Sequence, residues 1–543
     1  IDAASPAALA CAPSSGFSLA GATPGKANAD DSFGAALAAG DFDNDGNIDL
    51  AVGAPDDRDG RGSVTVFSSP CGQSDARRYT QAGAVPGKNE VNDRFGYSLA
   101  VGDFNRDNYD DLAIGVPYED VAGKKNAGAV VVLYGSADGL SKTGGDLFTQ
   151  RGAVPGANER HDKFGYALGA GDFDNDKRDD LLIGVPGETV SGETRAGGVV
   201  MLLGSNGGLQ TTGAKVWTQK GPLRGGSQRG DRLGYAIAVG DFDDDKFDDA
   251  AIGAPYEDRG SLKNIGAVHV LPGGSTGLST NDQQFFRGNS AAHRLGWRLA
   301  AGETTGDAFD DLAAGARATS SRGMVHLFVG ASDGLSLSDS IDQTTSSASA
   351  PSNGDRFGSA LTIVDHDGDG TGEVAIGVAR EDFPGTKNAG AVHIVPVTTT
   401  GDFDQVLERF RTQANDDVAG VLRGGSMFGA ALAAGDGILF VGAPGDRAGS
   451  VAGAGTAAAV TPTTADTVHV PVGESAVGSA VPVGSYRSQA PTGTCAITTR
   501  TADDAVRSVM VAADGSGYLQ VTPDDNEVSV SAGCTGVWFL TPR

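Results

Sequence analysis

The sequence lacks several features that mark common classes of protein. It contains no run of about 18 apolar residues, so we expect no membrane-spanning helix. Basic residues number 41 against 69 acidic ones, a net charge of −28. This balance argues against nucleic acid and anionic membranes as partners, because both are bound through basic faces. The chain opens IDAASPAALAC, without the basic and apolar segments of a signal peptide, and we interpret it as a processed, mature form.

Cysteine and histidine are also scarce. The four cysteines favour two disulfides in an exported protein, with free thiols in a cytosolic protein as the alternative. Pairing within segments predicts the bonds Cys11–Cys71 and Cys495–Cys534. No C-x-x-C motif occurs and the seven histidines do not gather, so neither a zinc site nor a nucleophilic catalytic site is indicated.

Glycine, by contrast, is abundant, at 83 residues with 22 prolines, while hydrophobic residues still make up 39%. A disordered chain would be less apolar, and collagen would show a three-residue period. No segment keeps a helical apolar period beyond about two turns. The composition therefore indicates many turns that join short strands.

An internal repeat of 62–71 residues organises most of the chain. Each copy opens on Phe-Gly or Leu-Gly, followed by an apolar stretch and an aspartate cluster. Each offers four short apolar runs bounded by Gly, Pro and Asp, which predicts an all-β fold, a seven-bladed β-propeller with four strands per blade. An open solenoid is the alternative. The seven copies begin at Phe33, Phe95, Phe164, Leu233, Leu295, Phe357 and Phe428.

The extent of the repeat predicts the domain organisation. Residues 1–15 form an N-terminal tail, 16–462 the propeller, and 463–543 a small β domain stapled by Cys495 and Cys534. Residues 17–25 match the run before later anchors but have no blade in front of them. We therefore expect this segment to supply the outer strand of blade 7 and close the ring.

The aspartate clusters place oxygen-bearing side chains at positions 1, 3, 5 and 9 of a loop. Several carboxylates in a flexible loop suit Ca²⁺ better than Mg²⁺, and the absence of Cys and His at the ligand positions argues against softer metals. Turn formation by Asp and Gly alone is the alternative, disfavoured because so many close carboxylates repel without a cation. About five Ca²⁺ sites are predicted, at Asp41, Asp43, Asp45 and Asp49; Asp103, Asn105, Asp107 and Asp111; Asp172, Asp174, Asp176 and Asp180; Asp241, Asp243, Asp245 and Asp249; and Asp365, Asp367, Asp369 and Glu373.

Two copies depart from this pattern. The fifth offers Glu303, Thr305, Asp307 and Asp311, and we expect a weak or empty site there. The seventh has lost the loop and keeps Asp436 alone, so no metal is expected.

The FG…DLAIGVP units resemble FG-GAP repeats, as in the N-terminal propeller of integrin α subunits and in many secreted bacterial proteins. The resemblance covers about residues 16–462, and the G-S-Y-R-S…C…G-C-x-x-x-W pattern after it looks like a small domain appended to secreted actinobacterial proteins. The resemblance implies that the calcium loops lie on one face and stiffen the blades. Ligand recognition is then expected on the opposite face.

The function expected from these features is a secreted or cell-surface, non-catalytic binding or adhesion module for a glycan or protein partner. It would act alone or as a recognition subunit of a larger extracellular assembly. An extracellular hydrolase or lyase with its site on the propeller face is the alternative. Recognition is expected in the connections 55–62, 117–127, 186–196, 255–265, 316–322 and 379–389, with Tyr118, Glu119, Tyr256, Glu257 and Glu381 as candidate ligand contacts and repeat-encoded turn structure as their other interpretation.

Overall fold

The computed structural model describes residues 16–17, 27–68, 76–317, 322–344, 352, 354–405, 407–415, 418 and 420–460, together with the backbone of eight strands between residues 468 and 542. Within residues 16–460 it forms seven four-stranded antiparallel sheets, so the predicted seven-bladed propeller is confirmed. Helix is confined, in this part of the chain, to a single short turn, α1 (Asp57–Gly60). No helix among the described residues is long and apolar enough to cross a membrane.

Six blades are runs of four consecutive strands. Blade 1 contains β2 (Ala36–Gly40), β3 (Asp49–Ala54), β4 (Ser63–Phe67) and β5 (Arg77–Tyr79); blade 2, β6 (Ser98–Gly102), β7 (Asp111–Val116), β8 (Ala129–Leu133) and β9 (Asp146–Phe148); blade 3, β10 (Leu168–Gly171), β11 (Asp180–Val185), β12 (Gly198–Leu203) and β13 (Gln210–Trp217). Blade 4 contains β14 (Ala236–Gly240), β15 (Asp249–Ala254), β16 (Ala267–Leu271) and β17 (Gln284–Arg287); blade 5, β18 (Leu295–Gly302), β19 (Asp311–Ala316), β20 (Met324–Val329) and β21 (Ser336–Ile341); blade 6, β22 (Phe357–Val364), β23 (Glu373–Val378), β24 (Ala391–Val395) and β25 (Arg409–Arg411).

Blade 7 is assembled from both ends of the repeat region. It combines β26 (Ala431–Gly435), β27 (Ile438–Ala443) and β28 (Thr456–Val460) with β1 (Gly16–Phe17), which pairs with β28 as the outer strand. The predicted closure segment 17–25 overlaps β1 at Phe17, and residues 18–26 lie outside the described part. Phe17 is fully buried, with its ring centroid 4.8 Å from that of Phe67 in blade 1. This closed ring excludes the open solenoid.

The Phe-Gly anchor is the joint between successive blades. The glycine before each third strand forms a parallel bridge with the anchor residue of the next blade, as in Gly62–Phe95, and Gly455–Phe33 joins blade 7 to blade 1. The anchor glycine needs its missing side chain. At Gly96, φ is +84° and a Cβ would lie 2.8 Å from the carbonyl oxygen of Ser63.

Apolar side chains fill the spaces between adjacent blades. The second strand of each blade is buried along its whole length, as in β3 and β7, because a neighbouring blade covers each face. One such interface packs Leu112 and Ile114 of blade 2 against Val64 of blade 1.

The strand directions give the ring two distinct ends. Each first strand follows a Phe-Gly or Leu-Gly anchor and, except in blade 7, leads into an acidic loop, and the second strand returns antiparallel to it. We call these the anchor end and the aspartate end. The predicted recognition connections follow the second strands and therefore lie at the anchor end.

Beyond residue 460, strands form two further four-stranded antiparallel sheets. One has the order β29 (Val468–His469), β36 (Phe539–Pro542), β31 (Gly484–Gln489) and β34 (Ser516–Val521); the other has the order β30 (Gly473–Ala476), β35 (Asp525–Val530), β32 (Cys495–Thr501) and β33 (Val506–Val511). Cys11, Cys71 and Cys534 and the side chain of Cys495 lie outside what the structure describes. The disulfide pairs and the domain boundary at 463 stay predictions.

Candidate functional site

The aspartate loops fold around their own carboxylates. In blade 1, Asp41 accepts hydrogen bonds from the backbone amides of Asp45 (3.1 Å) and Gly46 (2.9 Å), and Asp45 accepts one from the amide of Asn47 (2.8 Å). Equivalent contacts recur in blades 2, 3 and 4. These bonds bring three carboxylates together, with oxygens within 4.8 Å of one another, in the groups Asp41, Asp43 and Asp45; Asp172, Asp174 and Asp176; Asp241, Asp243 and Asp245; and Asp365, Asp367 and Asp369. In blade 2, Asn105 holds the middle position and donates to Asp107 at 3.0 Å.

The carboxylate at position 9 begins the second strand and is buried. Asp111 accepts hydrogen bonds from the backbone amides of Phe104 (3.1 Å) and Gly135 (2.8 Å). It therefore connects the aspartate loop to the turn that follows the third strand of the blade. Burial raises the pKa of Asp111 to about 8, and the charges of Asp107 and Asp103 add to this effect. Burial likewise raises the pKa of Asp180 and of Glu373 to about 8.

The oxygen atoms of the blade 3 loop fit a hard cation. Asp174 Oδ1 and Asp180 Oδ2 are buried and accept no hydrogen bond from any described residue. Leaving charged oxygens unsatisfied is costly, and the neighbouring carboxylates make it more so. A cation with a preference for oxygen ligands, such as Ca²⁺, would satisfy both atoms.

Blades 5 and 7 differ in the way that their sequences predict. In blade 5, Glu303 Oε1 accepts hydrogen bonds from the backbone amides of Thr305 (2.7 Å) and Asp307 (3.2 Å). The carboxylate of Asp311 accepts one from the amide of Thr304 (3.1 Å). This loop has its turn but no group of three carboxylates among the described residues. In blade 7 the hairpin closes directly from Gly435 to Ile438.

The sequence patterns missed a second role for aspartate at this end. The side chain of the residue at position 8 does not bond within its own loop. Its carboxylate accepts the position 1 amide of the preceding blade, at 2.8 Å for Asp110 and Asp41, 2.9 Å for Asp179 and Asp103, 2.8 Å for Asp248 and Asp172, and 3.1 Å for Asp310 and Asp241. In blades 2 to 5, the Asp-Asp pair at positions 8 and 9 therefore combines a clamp to the previous blade with a brace for its own loop.

Removing one clamp is expected to weaken the ring. We expect Asp179→Ala to destabilise the protein by about 1–3 kcal/mol, because the partly buried amide of Asp103 loses its acceptor. Asp179→Asn keeps an acceptor oxygen and is expected to lose much less. Denaturant unfolding of the two variants, beside the exposed control Asp333→Ala, measures this difference. Equal losses for Asn and Ala would contradict the clamp.

Carboxylates also recur at the anchor end, where glutamine side chains bond them. The pairs are Gln81–Glu119 at 3.3 Å, Gln150–Glu188 at 2.9 Å, Gln219–Glu257 at 2.8 Å and Gln343–Glu381 at 2.7 Å. Glu119, Glu257 and Glu381 are only 6%, 0% and 2% exposed. Their expected contact with a surface ligand is therefore not supported, and the interpretation as repeat-encoded turn structure fits them.

Tyr118 and Tyr256 are half-buried at this same end. Arg94 and Lys163 lie 4.9 and 4.8 Å from the ring centroid of Tyr118, and Arg232 lies 4.6 Å from that of Tyr256. Both rings border an arc of aromatic side chains on the first strands and anchors. The arc contains Tyr97, Tyr166, Tyr235 and Trp297, with successive centroids 5.2, 5.1 and 4.9 Å apart.

A protein-family model named FG-GAP repeat matches residues 33–67, 95–133, 164–200, 233–271 and 357–395. These segments are the first three strands of blades 1, 2, 3, 4 and 6, with their aspartate loops. Five of the seven blades therefore match the FG-GAP repeat. The FG-GAP matches leave out blades 5 and 7, whose loops depart from the pattern.

Curated relatives share parts of the FG-GAP region. The chain is 32% identical to integrin alpha-PS2 of Drosophila melanogaster over 234 residues, which are 41% of this chain and 15% of the relative. It is 29% identical to integrin alpha pat-2 of Caenorhabditis briggsae over 321 residues, 55% of this chain and 22% of the relative. It is also 32% identical to phosphatidylinositol-glycan-specific phospholipase D of Bos taurus over 154 residues, 28% of this chain and 18% of the relative. The chain thus spans less than a quarter of the length of these relatives.

The buried carboxylates of the FG-GAP propeller predict a pH effect at Glu188. Burial raises its pKa to about 7, so the folded protein holds this proton more tightly than the unfolded chain does. The resulting stabilisation is complete below the ordinary glutamate pKa and is lost as the pH rises toward 7. We expect Glu188→Gln to raise stability by about 2 kcal/mol at pH 8 and to change little at pH 4. Thermal unfolding at both pH values, with exposed Glu193→Gln as control, tests this, and a gain at pH 4 alone would contradict it.

Proposed function

We propose that this chain is a calcium-stabilised, extracellular, non-catalytic binding module that recognises a glycan or protein partner through the anchor end of its propeller. The loops of blades 1, 2, 3, 4 and 6 would each bind one Ca²⁺, about five in all. Asp174 Oδ1 and Asp180 Oδ2 in the blade 3 loop have no hydrogen-bond partner among the described residues, which supports several oxygen ligands for the ion in a loop. Bound calcium would supply the positive charge that holds these carboxylates together and would take no part in recognition.

The contrast between the two ends is the observation that carries the proposed role. The aspartate end is occupied by inward-turned carboxylates that stabilise the blades. The anchor end carries the longer connections and the aromatic arc of Tyr97, Tyr166, Tyr235 and Trp297. Aromatic side chains supply large contact area at a low cost in conformational entropy and are enriched in binding surfaces. A rigid ring with this surface at one mouth is suited to hold a partner.

The similarity to integrin alpha chains supports an adhesion role in the extracellular space. Each relative is similar to this chain only over part of the propeller. We therefore infer from the relatives only that such a propeller can serve in recognition. A hydrolase or lyase would need carboxylates that share an open pocket. The glutamates of the four glutamine pairs at the anchor end are instead buried, which favours binding.

A screen on a glycan array and a pull-down from cell-wall extract would identify the partner. We expect the double variant Tyr118→Ala/Tyr256→Ala to bind that partner at least tenfold more weakly, because both rings border the proposed surface. Tyr109→Ala, at the aspartate end, is the matched control and should bind normally. Unchanged affinity in a folded double variant would move the binding surface away from these tyrosines.

A further inference from the structure

A cavity of about 160 Å³ opens at the anchor end between blades 5, 6 and 7. Four arginines line it, two from blade 5 and two from blade 6, beside Trp297 and Ser359. The arginines are Arg298, Arg317, Arg356 and Arg380. Such a gathering is notable in a chain whose net charge is −28, because carboxylates are plentiful elsewhere on its surface.

No carboxylate among the described residues lies within ion-pair distance of these four side chains. Within the described residues, none of the four forms an ion pair, whereas other arginines such as Arg409 do. Arg298 donates to the backbone carbonyl oxygens of Ser359 (3.1 Å) and Trp297 (2.9 Å), which fixes its guanidinium group at the cavity wall. Arg317 lies 5.1 Å from the ring centroid of Trp297. Burial and the neighbouring arginines lower the pKa of Arg356 to about 10, so the four positive charges act on one another.

The cavity exists because blades 5, 6 and 7 depart from the repeat at its walls. Arg317 stands where five of the other six blades have proline, as at Pro117, Pro186 and Pro255, and Arg298 stands where blade 2 has Ser98. Ser359 and Ala430 occupy the position that carries a large aromatic ring in blades 2 to 5. The other blades form the same sheet without these residues, so the scaffold itself does not require them.

We propose that this cavity binds a single anionic group, a carboxylate, sulfate or phosphate, present either as the free ion or as the acidic group of a sugar. Guanidinium groups present several N–H donors in a plane, which matches the oxygens of such anions. The cavity volume is well above the roughly 10–15 Å³ that one water molecule needs by the same measure, so one acidic group has room. The inference deepens the proposed binding role and rests on it only in placing ligand recognition at the anchor end.

Titration calorimetry with sodium sulfate, sodium phosphate and sodium glucuronate, at constant ionic strength, tests the site on the full chain. We expect saturable binding of at least one of these anions and no comparable binding of neutral glucose. The variant Arg317→Gln/Arg380→Gln should weaken that binding tenfold or more. Arg151→Gln/Arg160→Gln makes the same charge change at exposed positions of blade 2 and should leave the affinity within twofold of the wild type. Equal weakening in both double variants would overturn the proposal, because it would show a general charge effect.

Ser359→Tyr tests the cavity without a change in charge. It restores the aromatic residue found in blades 2 to 4, fills the space, and should abolish anion binding while thermal unfolding shows an intact ring. Unchanged binding in this variant would place the anion elsewhere and overturn the proposal. Binding of glucuronate without binding of sulfate or phosphate would assign the site to acidic sugars. Binding of all three anions would show that the site recognises the anionic group alone. Failure of every anion, while the wild type still captures its partner in the screen, would reject this inference and leave the proposed function standing.

Discussion

Removal of calcium is expected to lower the melting temperature of the propeller by about 10 °C or more. An ion that binds only the folded state stabilises it by about 2.7 kcal/mol when its concentration is a hundred times the dissociation constant. The five proposed sites would act on one ring, and each kilocalorie shifts the melting temperature of a large domain by about a degree or two. Thermal unfolding in excess Ca²⁺ and in EDTA measures the shift. An unchanged melting temperature would contradict the calcium assignment.

Single-loop variants separate calcium binding from the loop's own hydrogen bonds. We expect Asp174→Ala to remove one Ca²⁺ and part of the stabilisation, because it deletes a buried oxygen that has no partner in the described residues. Asp307→Ala, in the blade 5 loop, is the matched control and should leave the bound calcium unchanged. Metal analysis by mass spectrometry after removal of free ions gives the number bound. About five ions are expected in the wild type, and one or none, or seven equivalent ions, would show that the loops were wrongly interpreted.

The propeller could be predicted because the anchor residues that join successive blades recur in the sequence of every blade. The Phe-Gly anchor pairs a residue that is buried between blades with a glycine in the left-handed region, and few other residue pairs meet both conditions. The apolar second strands, covered on both faces, are equally visible as continuous runs. The acid residues at positions 1, 3 and 5 were found because their hydrogen bonds stay within one loop, where spacing is informative.

The features that the sequence did not reveal depend on contacts between blades. The carboxylate of Asp179 looks like a loop ligand until its bond to the amide of Asp103, 76 residues away, is seen. Glu119 looked like an exposed turn residue, yet it is buried against Gln81. A signal was present, because glutamine precedes glutamate by 38 residues at each of four pairs. The arginine cavity could be detected in the sequence only as departures from the repeat. Its four arginines come from two blades, so they have no characteristic spacing along the chain.

The closure strand provides the second large expected effect. Phe17→Ala should destabilise the protein by about 3–5 kcal/mol, the usual cost of deleting a buried phenylalanine. The site has a further consequence because β1 pairs with β28 in blade 7, while Phe17 belongs to the apolar cluster shared by blades 7 and 1, beside the bridge between Gly455 and Phe33. Losing the Phe17 ring leaves Phe67 and the edge of β28 exposed at this junction, so we expect the ring to open there before it unfolds elsewhere.

Phe148→Ala is the matched control for this opening. Phe148 is also buried on an outer strand, β9, but its blade is continuous in the chain, so its loss weakens packing without breaking the circle. Hydrogen exchange measured by mass spectrometry should show faster exchange in β28 and β2 for Phe17→Ala, and faster exchange confined to blades 2 and 3 for Phe148→Ala. If β28 stays equally protected in both variants, the two-residue strand does not close the ring, and the bridge between Gly455 and Phe33 and the apolar packing of blade 7 on blade 1 hold the two ends together without it.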